Sequence, residues 1–205
     1  MRKGHRLFAA AWDFVTRHEG KALRALRRET IGGATGRTLE VGAGVGANWK
    51  YLPAGIEYTG IEPDPYMLER ARRHAVEQGH EALALEQVDV QHMPFPDDTF
   101  DTVITTLTFC SVPDALQGLR EVRRVLKPGG EFRFAEHVRA RNPVLAGFQR
   151  TITPLTRRWA GGCHQDRDTR ATIQRAGLIV ASCRRARHGP TPMIIGVARK
   201  ELPSV

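Results

Sequence analysis

The chain is poor in cysteine, poor in aromatics and without a long apolar run. Its 205 residues hold three cysteines, Cys110, Cys163 and Cys183, far apart and forming no CxxC pair. An odd, scattered set argues against a disulfide framework and against a structural zinc site, and it favours a reducing compartment. No metal is expected, and the expected location is cytoplasmic. No stretch approaches the ~18 apolar residues of a membrane span. The start, Met1 to Arg6, is basic, but the apolar run Leu7 to Trp12 is too short for a signal peptide and lacks a small-residue cleavage site. Repeats and low-complexity tracts are absent, which excludes solenoid and fibrous architectures.

Acidic residues are also in deficit, 22 Asp+Glu against 31 Lys+Arg, a net charge of +9. That balance favours anionic partners. The basic residues are dispersed, however (Arg24, Arg27, Arg72, Arg123, Arg157 and Arg184 among them), as expected of solvating side chains. A nucleic-acid module would interleave clustered Lys/Arg with aromatics. Arg184-Arg185-Ala186-Arg187 is the one compact patch and has no aromatic beside it. Nucleic acid is therefore not an expected partner. A peripheral membrane contact through the basic N-terminal helix and the oligomeric state both stay open.

The apolar pattern alternates strand and helix. A helical region runs from Leu7 to Glu29 and is broken by Gly32-Gly33-Ala34-Thr35-Gly36. Strands are expected at Thr38 to Val41, Glu57 to Ile61, Leu83 to Val88, Thr102 to Thr106, Glu131 to Ala135, Leu178 to Cys183 and Met193 to Val197. Helices are expected at Pro65 to Gln78, Pro113 to Lys127 and Thr169 to Ala176. Met67, Ala71 and Ala75 recur every fourth residue on the first of these. Parallel βαβ units with helices on both sheet faces follow. The division expected is an N-terminal helical extension, 1–36, on an α/β domain, 37–205. Arg139 to Asp168 fits neither period and reads as a helical insertion over the sheet edge.

The strongest local signal is Glu40-Val41-Gly42-Ala43-Gly44-Val45-Gly46. Glycines at alternate positions after a strand allow a tight turn and close approach of a ligand to the backbone. Glu40 places a carboxylate just before the turn, suited to a ligand amine rather than a phosphate. Glu62, about 20 residues on, ends the second strand, where a carboxylate can accept both ribose hydroxyls. Asp89 follows the third strand, within reach of an adenine amine. Together they describe an adenosine pocket at the carboxyl ends of parallel strands.

With these residues the chain resembles the class I S-adenosylmethionine-dependent methyltransferases from about Thr38 to Val197. The markers are Leu39 to Gly46, Met93-Pro94-Phe95-Pro96-Asp97-Asp98 leading into Phe100-Asp101-Thr102-Val103, and Val125-Leu126-Lys127-Pro128-Gly129-Gly130. Within them it most resembles the branch that includes the membrane-associated alkyl-thiol methyltransferases of animals. That likeness lies in Gly46-Ala47-Asn48-Trp49-Lys50, Leu107 to Val112, Ala135-Glu136-His137-Val138 and Gly161-Gly162-Cys163.

The resemblance implies a Rossmann-like sheet of seven strands, mostly parallel, whose last strand is antiparallel. It implies S-adenosyl-L-methionine as cofactor and S-adenosyl-L-homocysteine as product. Methionine-moiety contacts would fall at Glu40, Gly42, Ala43, Gly44 and Gly46, with Asn48 close by. Ribose contacts would fall at Glu62 and Pro63, adenine contacts at Met67, Asp89 and Val90, and a wall near the methyl group at Thr106 and Leu107. Two departures stand out: Val45 occupies a position where many relatives have Thr, and a charged helix stands where the animal enzymes carry an apolar anchor.

His137 and His164 are the candidates for polarising an acceptor, since imidazole accepts a proton near neutral pH. Trp12, Cys110 and Cys163 are the candidate acceptor-side residues, Trp12 as part of a helical lid. A small-molecule thiol is the acceptor the resemblance favours. The alternative is O- or C-methylation of a quinone-like or natural-product substrate. A nicotinamide-dependent reductase would want a Tyr four residues before a Lys, and none of Tyr51, Tyr58 and Tyr66 has one.

Overall fold

A computed structural model describes residues 5–80, 82–159, 161–188 and 191–203; the basic residues 1–4 read above lie outside them. Seven strands form one sheet in the order β3-β2-β1-β4-β5-β7-β6. They are β1 (Arg37–Val41), β2 (Glu57–Ile61), β3 (Ala84–Glu86), β4 (Phe100–Thr106), β5 (Leu126–His137), β6 (Ile179–His188) and β7 (Thr191–Arg199). All neighbours pair in parallel except β7, which runs antiparallel to both β5 and β6. The strand order reverses between β1 and β4, which opens a crevice at their carboxyl ends.

The helices are α1 (Arg6–Arg17), α2 (Lys21–Ile31), α3 (Pro65–Glu77), α4 (Ala115–Val125), α5 (Pro143–Trp159) and α6 (Thr169–Arg175). Their starts are written in side chains. Asp64 accepts from the backbone N–H of Tyr66 and Met67 with Pro65 at the first position, and Asp114 and Asp168 cap α4 and α6. Alternation along the strands feeds two layers. Val103, Phe132, Phe134 and Ile194 pack with Leu119, Val122, Val125 and Ile173 of α4 and α6. Their neighbours on the other face, Ala135, Met193 and Ile195, meet Leu26 of α2, while Trp49 and Tyr58 pack with Ala71 and Ala75 of α3.

Several boundaries differ from the sequence reading. The single helix expected from Leu7 to Glu29 is two, because Gly20 is extended and Glu19 turns inward to the buried Arg27 at 2.8 Å. Strand β5 begins at Leu126, ahead of Pro128-Gly129-Gly130, and absorbs the glycines as an irregularity opposite Phe100. β6 and β7 run longer than their apolar stretches because each pairs along its full length with the other. The 139–168 segment, read as aperiodic, carries α5, with Pro154 in its interior and Val144, Phe148 and Leu155 exposed. Among the described residues no helix is long and apolar enough to cross a membrane.

Leu119 is fully buried at the centre of the larger core. Leu119→Ala is expected to cost about 2–5 kcal/mol, read as a lower urea midpoint at unchanged slope.

Candidate active site

The crevice holds a cavity of about 340 Å³, its wall built from the segments that follow β1, β2, β3, β4 and β5. Gly42 leaves β1 at φ +73°, and the N–H groups of Gly42 and Ala43 donate to the Ile61 carbonyl at 2.9 and 3.0 Å. A Cβ on Gly42 would come within 2.4 Å of Thr108 Oγ1. At Gly44, φ +58°, an added Cβ would meet nothing nearer than 3.9 Å, so it would stand in the cavity itself. The turn therefore presents bare backbone to whatever occupies the space.

Glu62 lies at the end of β2 with one carboxylate oxygen held by the Gly44 N–H at 3.0 Å and the other by the Asp64 N–H at 2.9 Å. Burial pushes its pKa up to about 7, against the lowering effect of these two bonds. Asp89, after β3, is pinned by the backbone and side-chain N–H of Gln91, all at 3.0 Å. Pro63, Met67 and Val90 complete this end.

Beyond β4 the wall is made by Thr106, Leu107 and Thr108, with Leu107 in the left-handed region at φ +58°. Such a conformation costs a branched side chain roughly 1–2 kcal/mol, so the surroundings must impose it. They do: the buried Glu136 carboxylate of β5 accepts from the N–H groups of Thr108 and Cys110 and from the Thr105 hydroxyl, at 3.0, 3.4 and 3.1 Å. From the other side Arg167 Nη1 donates to the carbonyls of Phe109 and Val112 at 2.6 Å each. Cys110, His137 and Cys163 line the same wall. Trp12 of α1 closes over the glycine turn, and Phe8 packs where a Cβ on Gly161 would sit. Asp13 anchors α1 to α3 through Arg70 at 2.9 Å.

Fifteen of the residues proposed from the sequence meet at this wall, and three do not. Glu40 is fully buried beneath the turn, its two oxygens taken by Asn48 Nδ2 and the Tyr58 hydroxyl at 2.5 Å each. It reaches the cavity only through Asn48, so its expected direct contact with a ligand amine is corrected. Burial raises its pKa, opposed by those two bonds and by Arg27. Gly46 is likewise below the surface: a Cβ there would strike the Trp49 ring at 2.6 Å. His164 is not among the residues that line the wall, and its backbone N–H donates to the Cys110 carbonyl at 2.7 Å.

The sequence reading missed Arg27, whose Nη1 bonds Asn48 and Thr106 at 2.8 and 2.6 Å from within the wall. Nothing local distinguishes it from the dispersed arginines. Glu136 was missed as an organiser, although a carboxylate near the end of a strand that carries Phe132, Phe134 and Ala135 is a signal of a buried polar role. The wide spacing of the cysteines was also misleading, because the fold brings Cys110 and Cys163 together.

Residues 39–134 match the family described as "Methyltransferase domain". A thiol S-methyltransferase of Rattus norvegicus, TMT1B, is 34% identical over 143 residues, 67% of this chain and 58% of the relative. A phosphatidylethanolamine N-methyltransferase of Cereibacter sphaeroides is 35% identical over 154 residues, 70% of this chain and 74% of the relative. The chain belongs to the class I S-adenosylmethionine-dependent methyltransferases. The match spans under two thirds of the rat protein's own length. The YcgJ protein from Bacillus subtilis superimposes with a TM-score of 0.70 at 20% identity, covering 89% of this chain and 99% of that chain, which supports the fold alone.

The family's cofactor fits the cavity on this chain's own evidence. An uncapped glycine cradle at Gly44 and a buried, doubly supported carboxylate at Glu62 suit a nucleoside with a vicinal diol. The raised pKa of Glu62 sets a sign. Ribose hydroxyls donate, so the carboxylate is the binding form and affinity for S-adenosylhomocysteine is expected to fall as pH drops from about 8 to about 6. In the ligand-free protein the folded state retains a proton that the unfolded chain has released. The stability this confers is full below the ordinary Glu range and declines as pH rises through about 7. Glu62→Gln should flatten the binding profile in calorimetry; an unaltered pH dependence in that variant would assign it to another group.

Proposed function

We propose that this methyltransferase transfers the methyl group of S-adenosylmethionine to the sulfur of a small, largely apolar thiol. The observation that carries the reading is the composition of the cavity beyond β4 and β5: Cys110, His137 and Cys163, with no solvent-facing carboxylate among them. Glu136, beneath that wall, is fully buried and spends its oxygens on backbone N–H groups and the Thr105 hydroxyl. A cationic acceptor would call for a counter-charge there, and a phenol, with a pKa of about 10, for more help from His137 than a thiol needs. A thiol, with a free pKa of about 8.5, needs only modest help to ionise.

When bound, the cofactor supplies an electrophilic methyl group whose bonding pair returns to the sulfonium sulfur as it leaves. The chain's own contributions are binding, alignment and exclusion of water. Glu62 would take the ribose hydroxyls, Asp89 the adenine amine, and the backbone at Gly42 to Gly44 the methionine moiety, with Arg27 offering a cation to its carboxylate. Thr106 and Leu107, fixed by Glu136, would set the floor against which acceptor and donor align; positioning of this kind contributes about 7–11 kcal/mol at its best. Residues of α1, Phe8 and Trp12 above all, serve as the lid, and the 139–168 segment supplies the remaining acceptor wall.

The thiol reading is supported by similarity to the rat enzyme, and an amine reading by similarity to the Cereibacter enzyme. O- or C-methylation of a quinone-like substrate is the further alternative. Purified protein with S-adenosylmethionine, offered alkyl thiols, phenols and phosphatidylethanolamine vesicles, should methylate thiols with kcat/KM at least about tenfold above the others, a difference of about 1.4 kcal/mol. Methylation of a phenol or the phospholipid with every thiol untouched would sink the proposal. Trp12→Ala should raise KM for the acceptor and leave the fold intact by circular dichroism.

A further inference from the structure

Three soft or borderline ligand atoms meet in the wall, one from each of three segments. The sulfurs of Cys110 and Cys163 and a ring nitrogen of His137 lie within 4.8 Å of one another. Both cysteines are free and buried. Both ring nitrogens of His137 are buried, and neither has a hydrogen-bond partner among the described residues. A neutral imidazole carries one N–H and one lone pair, and leaving a buried polar atom unpaired costs about 1–3 kcal/mol. The two thiols are the polar groups in reach of the ring, and an ion shared by all three would meet the imidazole and both sulfurs at once.

We infer that Cys110, His137 and Cys163 form a three-ligand zinc site whose fourth position opens into the cavity. Two thiolates and one neutral imidazole balance the charge of a divalent ion, so the assembled site is neutral and suits its buried setting. Tetrahedral zinc holds sulfur at about 2.3 Å and nitrogen at about 2.0–2.1 Å, which places ligand atoms some 3.5–3.8 Å apart. The observed spread closes to that by small side-chain rotations. All three side chains line the cavity. Three protein ligands with an open position is the arrangement of reactive zinc sites, whereas structural sites have four.

The supporting bonds tie the three segments together. Glu136, next to His137, accepts from the Cys110 N–H at 3.4 Å. His164, next to Cys163, donates its N–H to the Cys110 carbonyl at 2.7 Å, and the Thr156 hydroxyl donates to the Cys163 carbonyl at 2.9 Å. The His137 ring also stacks on His188, centroids 6.1 Å apart. Ligands held this way keep their positions before an ion arrives.

The site deepens the thiol reading and rests on it for its purpose. An acceptor thiol replaces water in the fourth position; its S–H bond breaks, the proton leaves with solvent, and the sulfur stays on zinc as a thiolate at neutral pH. A methylated sulfur has lost its charge, binds zinc weakly and departs.

The test uses the full chain, reduced and stripped of metal, titrated with zinc chloride against a chromogenic chelator. One zinc per chain is expected, and cobalt(II) in its place should show sulfur-to-cobalt charge-transfer absorption. Cys110→Ser, Cys163→Ser and His137→Gln should each weaken zinc binding by at least about 100-fold, and Cys183→Ser should leave it unchanged. If the serine variants fail to fold, alkylation of the native chain decides: zinc should shield Cys110 and Cys163 from iodoacetamide but not Cys183. Absence of stoichiometric zinc, or equal loss in Cys183→Ser, overturns the site. Thiol turnover by chain that takes up no zinc also overturns the site and leaves the thiol reading standing. Stoichiometric zinc without thiol turnover supports the site and overturns the thiol reading.

Discussion

Beneath the glycine turn a carboxylate without access to water, Glu40, is shared between the Tyr58 hydroxyl and the Asn48 amide. Tyr58 in turn accepts from the Trp49 indole at 3.0 Å, and Asn48 and Thr106 receive Arg27, which is itself paired to the buried Glu19. This chain of bonds joins α2, β1, β2, β4 and the turn after β1 at one point. A charge removed from water is tolerated only while every partner is present, so the network fixes geometry more than it adds stability. Removing one member leaves another buried and unpaired, and the floor of the cavity shifts with it.

The reversal of strand order between β1 and β4 explains why the two halves of the cavity differ in chemistry. On one side Glu62 and Asp89 follow β2 and β3, and in the proposed reading their carboxylates would take the donors of a nucleoside. On the other, β4 and β5 deliver Thr106, Cys110 and His137, and the Glu136 carboxylate behind them is consumed by backbone N–H groups and the Thr105 hydroxyl. In the proposed reading, donor and acceptor would thereby lie on opposite sides of one crevice. Helix α1, which brings Phe8 and Trp12 to the cavity, is tied through Asp13 to Arg70 and His74 of α3, the element that follows Glu62.

Much of this was legible because local chemistry and global fold agree. The β-branched Thr102 to Thr106 run and the alternating glycines of Gly42, Gly44 and Gly46 each have one economical conformation. So does the Asp64-Pro65 helix start, and each adopted it. The misses have physical reasons. Glu19 broke the expected N-terminal helix by seeking Arg27, a tertiary partner. Glu40 was read as facing the ligand because a strand-end carboxylate looks the same in sequence whether it points up into a pocket or down to a tyrosine on the next strand.

By itself the sequence determined the order of strands and helices, the glycine turn, the acids at the ends of β2 and β3, and the family, since all of these are set by periodicity, backbone sterics and short spacings. Only the tertiary structure decided which polar side chains are spent on one another and which remain available. That holds for Arg27, Glu136 and the meeting of Cys110, His137 and Cys163. Side chains distant along the chain become partners through the pairing of β4 with β5 and the return of the 161–168 loop, and burial then makes their mutual satisfaction obligatory.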